Sequence, residues 1–275
     1  MTVKIDFVKM HGAGNDFIMI EDIDDRVEAS PGLIASLCEF HRGIGADGLI
    51  FLRKSREADF LMKYYNRDGG EADMCGNGAR CTALFAREKG IAGSSMAFET
   101  KAGIVKADVL DDGVRIGIAR VSGLKLYVKC EQAEFETHFV KAGVPHAVLL
   151  SDDAASHPKE EFLCVASAIR SDPVFMPEGA NVNLVTVTAS DTLAYRTYER
   201  GVEAETLACG TGAVAAAVIA AHLNLADPPV TCETSGGDDL VVDFRITDDG
   251  AENCSLKGPA VVTFKGSFRL PDYLE

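Results

Sequence analysis

Positive charge is scarce in this sequence: 27 lysines and arginines stand against 42 aspartates and glutamates, for a formal net charge of −15. No basic stripe is left to neutralise phosphates, so nucleic acid and anionic membrane are poor candidate partners and small molecules are better ones. Long apolar runs are missing too. The longest, Ala213 to Ala221, falls far short of the roughly 18–20 residues needed to cross a bilayer. The opening residues show no basic n-region followed by an apolar h-region and a small-residue cleavage site, and Lys4, Asp6 and Lys9 break up the apolar residues there; the cytoplasm is the expected compartment. The eight cysteines form no CxxC pair and have no HExxH or HxxxH spacing beside them, so no metal site is expected and reduced thiols are. The complete GxGxxG and GxxxxGK[ST] patterns are also absent, which removes the usual support for nucleotide binding.

What is present is ordinary globular material: 275 residues, 47% hydrophobic and 25% charged, enough for one large domain or two of about 130 residues. Short strands dominate, with two helical signals in each half. Val3, Ile5 and Phe7 alternate with charges as a half-buried strand, and Phe17–Ile20 reads as a second. Ser30-Pro31 offers a cap and a first-turn proline to a helix carrying Leu33, Ile34, Leu37 and Cys38. Strands at Gly48–Leu52 and Asp59–Tyr65 precede a helix from about Ala79 to the Gly90 stop, and Met96–Thr100, Gly103–Leu110 and Gly113–Ala119 close the half. The second half repeats the plan. Strands are expected at Leu124–Cys130, Glu134–Val140 and His146–Ser151, then a helix over Pro158–Arg170. Strands at Val182–Ala189 and Leu193–Glu199 follow, then an alanine-rich helix at Ala213–Leu223 and strands at Val230–Thr234, Leu240–Ile246 and Ala260–Phe264.

A repeated motif sharpens this parallel. Glu71-Ala72-Asp73-Met74-Cys75-Gly76-Asn77-Gly78-Ala79 recurs 134 positions later as Glu205-Thr206-Leu207-Ala208-Cys209-Gly210-Thr211-Gly212-Ala213, that is, E-x-x-x-C-G-x-G-A twice. Duplication is the better reading, with one copy per domain and a linker near Arg120–Gly123. The expected domains are residues 1–121 and 122–261, with a last strand, about 262–275, that returns to the first. Each copy ends a strand-rich segment and opens a helix, whose N-terminal amides attract anions and whose partial positive charge favours a thiolate. Two such thiols facing one carbon from opposite sides could invert it, one taking a proton and the other returning one. The other six cysteines, Cys38, Cys81, Cys130, Cys164, Cys232 and Cys254, read as inert buried residues.

The landmarks Phe7-Val8-Lys9-Met10-His11-Gly12-Ala13-Gly14-Asn15-Asp16-Phe17, Asn66 through Cys81, Pro145-His146, Ala180-Asn181-Val182 and Tyr198-Glu199-Arg200-Gly201 resemble those of the diaminopimelate epimerases. The resemblance spans nearly the whole chain. It implies an α/β (α+β) fold of two pseudo-symmetric domains, each a mostly antiparallel sheet or barrel wrapped around a central helix, with the site between them. It also implies interconversion of LL- and meso-diaminopimelate without pyridoxal phosphate or any other cofactor, and a homodimer. By that likeness Cys75 and Cys209 are the acid/base pair and His146 and Glu199 support them. The backbone at Gly76-Asn77 and Gly210-Thr211 takes the reacting carboxylate, Asn15 lines the reacting end, and Asn66, Asn181 and Arg200 hold the distal end, with Glu199 suited to an ammonium group. Two positions depart from the common pattern: Gly48 stands where glutamine is frequent, and Val144 where asparagine is. Other readings are a racemase, isomerase or dehydratase of another α-amino acid on the same fold, a cysteine hydrolase or amidotransferase using His146 or His11 as base, and a carboxylate-binding module without catalysis.

Overall fold

The computed structural model describes residues 4–131 and 135–270. They fall into two compact units, one of residues 4–116 and 258–270 and one of residues 117–257. The first unit runs β1 (Lys4–Gly12), β2 (Asn15–Glu21), α1 (Pro31–Cys38), β3 (Gly48–Arg53), β4 (Phe60–Asn66), β5 (Glu71–Ala72), α2 (Gly76–Glu88), β6 (Ser95–Thr100), β7 (Gly103–Leu110) and β8 (Gly113–Gly117). The second runs β9 (Ser122–Lys129), β10 (Glu136–Ala142), β11 (Val144–Leu150), α3 (Lys159–Arg170), β12 (Asn181–Ala189), β13 (Thr192–Glu199), β14 (Ala204–Thr206), α4 (Gly210–His222), β15 (Val230–Thr234), β16 (Asp239–Thr247) and β17 (Gly250–Gly258). The chain then returns to the first unit as β18 (Val261–Arg269), which pairs antiparallel with β1 from Lys4–Arg269 to His11–Val261.

Each unit has the same pairing order. In the first it is β18–β1–β2–β3–β4–β6–β7–β8, with β5 also on β4; the β2–β3 and β4–β6 pairs are parallel and the rest antiparallel. In the second it is β9–β10–β11–β12–β13–β15–β16–β17, with β14 also on β13 and parallel pairs at β11–β12 and β13–β15. A parallel pair needs a crossover, and in both units a helix supplies each one. One helix per unit lies outside and closes a core: α1 over Ile18, Ile20, Leu49 and Phe51, α3 over Ala147, Leu149, Val182 and Leu184. Ser30 caps α1 through its hydroxyl, which accepts the Leu33 amide, and Pro31 opens the helix. The other helix is wrapped by strands. In α4, Gly212 through Ala221 are all buried, and in α2 Asn77 through Ala83 are; α4 thus has no solvent face over that stretch and its small side chains let the strands approach, while α2 exposes only its last turn, Arg87 and Glu88, fully.

Several expectations need correction. Helices α2 and α4 begin at Gly76 and Gly210, three residues before Ala79 and Ala213. Strand β17 was not expected; a register shift opposite Asn253, whose φ is +53°, interrupts its alternation. At the expected linker, Arg120–Gly123, Val121 exchanges backbone hydrogen bonds with Ala251 at 2.9 and 3.0 Å within the second unit. Val3, Glu134 and residues 271–275, parts of expected strands, lie outside the described residues. Among the described residues, no helix is long and apolar enough to cross a membrane.

Candidate active site

In the first unit, β4 and β5 lead the chain to Cys75, which caps α2 with extended backbone, φ −135° and ψ 123°. The first i to i−4 bond runs from the Ala79 amide to the Cys75 carbonyl at 2.8 Å. The amides of residues 76–78 therefore precede the helical ladder and point out of its end. Cys75 is half-buried, and its Sγ donates to Asn15 Oδ1 at 3.4 Å. Asn15 is placed by the β1–β2 hairpin, whose two turn residues Ala13 and Gly14 have φ of +53° and +80°, the left-handed pair that a two-residue hairpin demands and glycine adopts without strain.

The Asn15 amide is oriented from behind. Its Nδ2 donates to Asp47 Oδ2 at 2.8 Å, and because a carboxylate only accepts, the carbonyl end is the one left for the thiol. Asp47 is itself fixed: its amide donates to Asp16 Oδ1 at 2.8 Å, its Oδ2 also accepts the Asp16 amide at 3.2 Å, and Asp16 pairs with the buried Lys9 at 2.6 Å. Asn77 is buried, with Oδ1 accepting from Arg80 Nη2 at 2.8 Å. Asn66 closes β4, is exposed, and accepts the Tyr64 hydroxyl on Oδ1 at 2.8 Å.

In the second unit Cys209 caps α4 in the same manner, φ −117° and ψ 108°, with the Ala213 amide on its carbonyl at 2.9 Å. It is buried, Thr211 Oγ1 lies 3.5 Å from its Sγ, and the Tyr195 hydroxyl donates to its carbonyl at 3.0 Å. Its thiol hydrogen-bonds the Glu199 carboxylate, which also accepts from Thr206 Oγ1 at 2.5 Å. Burial pushes the Glu199 pKa up, and the two hydrogen bonds oppose the rise. Asn181 Oδ1 accepts the Arg200 amide at 2.8 Å, and Arg200 Nη1 donates to the Glu178 carbonyl at 2.7 Å.

His146, expected to support the acid/base pair, lies in the interior of the second unit. It is fully buried, with Asn183 Nδ2 3.1 Å from its Nδ1. Burial, with the Arg200 cation nearby, pushes its pKa down to about 3. An imidazole held there is neutral at pH 7. His11 is likewise engaged, its Nδ1 facing the Gly14 amide at 3.4 Å in the hairpin turn.

The glutamate that opens each motif copy anchors the short strand before the helix. Glu71 pairs with Lys63 at 3.8 Å, and Glu205 takes Arg196 through two oxygens at 2.7 and 2.9 Å. The two half-sites thus share a frame and differ in dressing. Where the first has Asn15 after its hairpin turn the second has Val144, and where the first ends its fourth strand with Asn66 the second ends with Glu199. Cys75 consequently meets a neutral amide and Cys209 a carboxylate.

Comparison with known proteins decides what this frame is. The sequence model of the diaminopimelate epimerase family matches residues 7–122 and 138–263. A diaminopimelate epimerase of Aquifex aeolicus is 38% identical over 95% of this chain and 97% of its own, and one of Methanothrix thermoacetophila 41% identical over 96% and 95%. The chain belongs to the diaminopimelate epimerase family. Among solved structures, a PhzF-family phenazine biosynthesis protein of Bacillus anthracis covers 97% of this chain and 99% of its own with a TM-score of 0.72, at 16% identity. A hydroxyproline epimerase of Agrobacterium vitis, at 14% identity, reaches 0.68 over 97% and 91%. These last two share the fold.

Membership in the diaminopimelate epimerase family makes the chain an isomerase. Of the residues singled out from sequence, the first unit brings Asn15, Gly76 and Asn77 to Cys75, and the second brings Glu199, Gly210 and Thr211 to Cys209. Asn181 and Arg200 meet each other, and Asn66 meets Tyr64. Asp47, Tyr64, Asn183 and Thr206 were not singled out. Asp47 is next to Gly48 and Tyr64 is two residues before Asn66, but strand pairing and local side-chain contacts are what give them their partners. None of the eight cysteines, all among the described residues, is in a disulfide. Burial pushes Cys38 and Cys81 up to about 12 and raises Cys232 as well, which suits inert thiols. Cys164 is exposed, contrary to the expectation that it is buried, and Cys130 is half-buried.

Proposed function

We propose that the chain interconverts LL- and meso-diaminopimelate by moving one proton across one α-carbon, with Cys75 and Cys209 on opposite faces. The observation that carries this reading is the matched pair of helix-capping cysteines, each on a glycine-led, strand-wrapped helix of its own unit. A thiolate takes the α-proton and becomes a thiol, while the opposite thiol delivers its proton and becomes a thiolate. The pair then stands ready for the reverse reaction. The outward amides of residues 76–78 and 210–212 are suited to the substrate carboxylate, where negative charge grows as the Cα–H bond breaks.

The unequal dressing supports a division of labour. Glu199 can take the Cys209 proton, and its raised pKa makes it a better acceptor than an ordinary carboxylate. The amide carbonyl of Asn15 cannot take a proton and favours Cys75 as thiol. In this state Cys209 is the base and Cys75 the acid. Arg200 and Asn181, with Asn66, are suited to the distal amino-acid end, the guanidinium fork matching a carboxylate.

The test is solvent-deuterium exchange by purified protein with no pyridoxal phosphate added. Deuterium should enter the α-position of diaminopimelate as the stereoisomers interconvert, and Cys75→Ala or Cys209→Ala should each cut turnover by at least about 10²–10⁴-fold, the range for a lost acid or base. Exchange into proline or hydroxyproline with none into diaminopimelate would reject the substrate. Undiminished turnover in Cys75→Ala would reject the two-base scheme.

A further inference from the structure

The Tyr64 ring lies where a side chain at position 48 would begin. A Cβ on Gly48 would stand 2.6 Å from Tyr64 Cε2 and 2.6 Å from the Tyr65 carbonyl, closer than real Cβ contacts come, so no larger residue enters without displacing strand or ring. Gly48 and Asn66 face each other across β3 and β4, with Tyr64 two residues back on the same strand face. The ring also packs edge-on against Phe17, centroids 5.9 Å apart at 80°. Held on both sides, the half-buried ring carries its hydroxyl to Asn66 Oδ1 at 2.8 Å.

That one bond decides what Asn66 offers a ligand. Its backbone is engaged, the amide on the Gly70 carbonyl and the carbonyl on the Gly69 amide, both at 2.9 Å. The hydroxyl holds Oδ1 on the Tyr64 side, so Nδ2 with its two N–H groups is the end the exposed side chain offers a ligand. Two donors suit a carboxylate and do not suit an ammonium group. The geometry points to Tyr64, whose ring takes the space left by Gly48, as a positioning residue that sets the Asn66 amide to read the distal carboxylate of the substrate. This rests on the reading that Asn66 holds the distal end of diaminopimelate.

The experiment compares wild type, Tyr64→Phe, Asn66→Ala and the double variant in diaminopimelate turnover, with lysine as competitor, since it keeps a distal ammonium and lacks the distal carboxylate. Tyr64→Phe retains the ring and removes only the hydroxyl. Its KM should rise about five- to tenfold, the scale of one lost hydrogen bond, with kcat within about twofold. Inhibition by lysine should stay unchanged or strengthen, so the preference for the dicarboxylate narrows. If Tyr64 acts through Asn66, adding Tyr64→Phe to Asn66→Ala changes KM no further. A Tyr64→Phe enzyme with wild-type KM, or an effect that persists in full on the Asn66→Ala background, overturns the inference. Failure of the underlying function would show separately, as a wild-type protein that does not turn over diaminopimelate.

Discussion

At the scale of single residues, two thiols with the same backbone setting are told apart by their neighbours. Cys209 gives its hydrogen bond to a carboxylate held by Thr206, and Cys75 to an amide held by Asp47. Asp47 thus enters the site at one remove, by turning the Asn15 carbonyl toward Cys75. Replacing it with alanine removes the carboxylate that accepts from Asn15 Nδ2, and kcat should fall about tenfold, equivalent to about 1.4 kcal/mol, the upper part of the range for one ordinary hydrogen bond. Asp47→Asn keeps an oxygen in place and should retain most of the activity. Steady-state rates of the two variants make the comparison, and equal losses would mean that the charge of Asp47 matters and its position does not.

At the scale of elements, the two copies of the motif differ in how tightly their second glycine is enclosed. A Cβ on Gly212 would lie 2.5 Å from Asn183 Oδ1 and 2.8 Å from Thr197 Oγ1, and these two are locked to each other at 2.8 Å, with Asn183 also bonded to the Ala147 carbonyl at 3.2 Å. A Cβ on Gly78 would meet Ile50 Cδ1 at 2.9 Å and Met62 Cε at 3.3 Å, the mobile ends of flexible side chains. Gly212→Ala should therefore cost about 2–3 kcal/mol and lower turnover, while Gly78→Ala stays within about 1 kcal/mol, because overpacking is severe only where neighbours cannot yield. Denaturant unfolding of the two variants tests this, and equal losses would contradict it. The same turns mark where the sequence was hardest to read. Alternation located β7 and β15 to the residue, and Ser30-Pro31 located the start of α1. Helical periodicity becomes readable only from Ala79 and Ala213, because glycine has poor helix propensity, while the motif puts the glycines at the helix N-terminus, where α2 and α4 begin; those residues are where the site is built. Strand β17 was hidden by the slip at Asn253, and β5 and β14, two and three residues long, are too short to show a period. The cysteines were legible because the motif occurs twice. Asp47, Tyr64 and Thr206 were not, since contacts such as that between Asn15 and Asp47, 32 residues apart, arise only once strands pair.

At the scale of the whole molecule, acid should act in two opposing ways. With a net charge of −15, protonating surface carboxylates below about pH 5 relieves self-repulsion and favours the compact state. His146 works the other way and at higher pH. Its folded pKa of about 3 lies below the value of 6.5 for an unburied imidazole, so between those values the unfolded chain binds a proton that the folded chain refuses. Stability from this group is complete above pH 6.5 and is lost as pH falls toward 3, at a slope approaching about 1.4 kcal/mol per pH unit. His138, also buried and also lowered by burial, adds in the same direction. The window from pH 6.5 to 5 isolates the histidines, since ordinary carboxylates remain ionised there. In that window the unfolding free energy of wild type, from denaturant titrations at fixed pH, should decline as pH falls, and His146→Gln should decline less steeply by nearly one proton, whatever its stability at pH 7. Parallel pH profiles for the two proteins would show that His146 takes up its proton in the folded state, and with it that the neutral form assigned to this residue beside Asn183 is wrong.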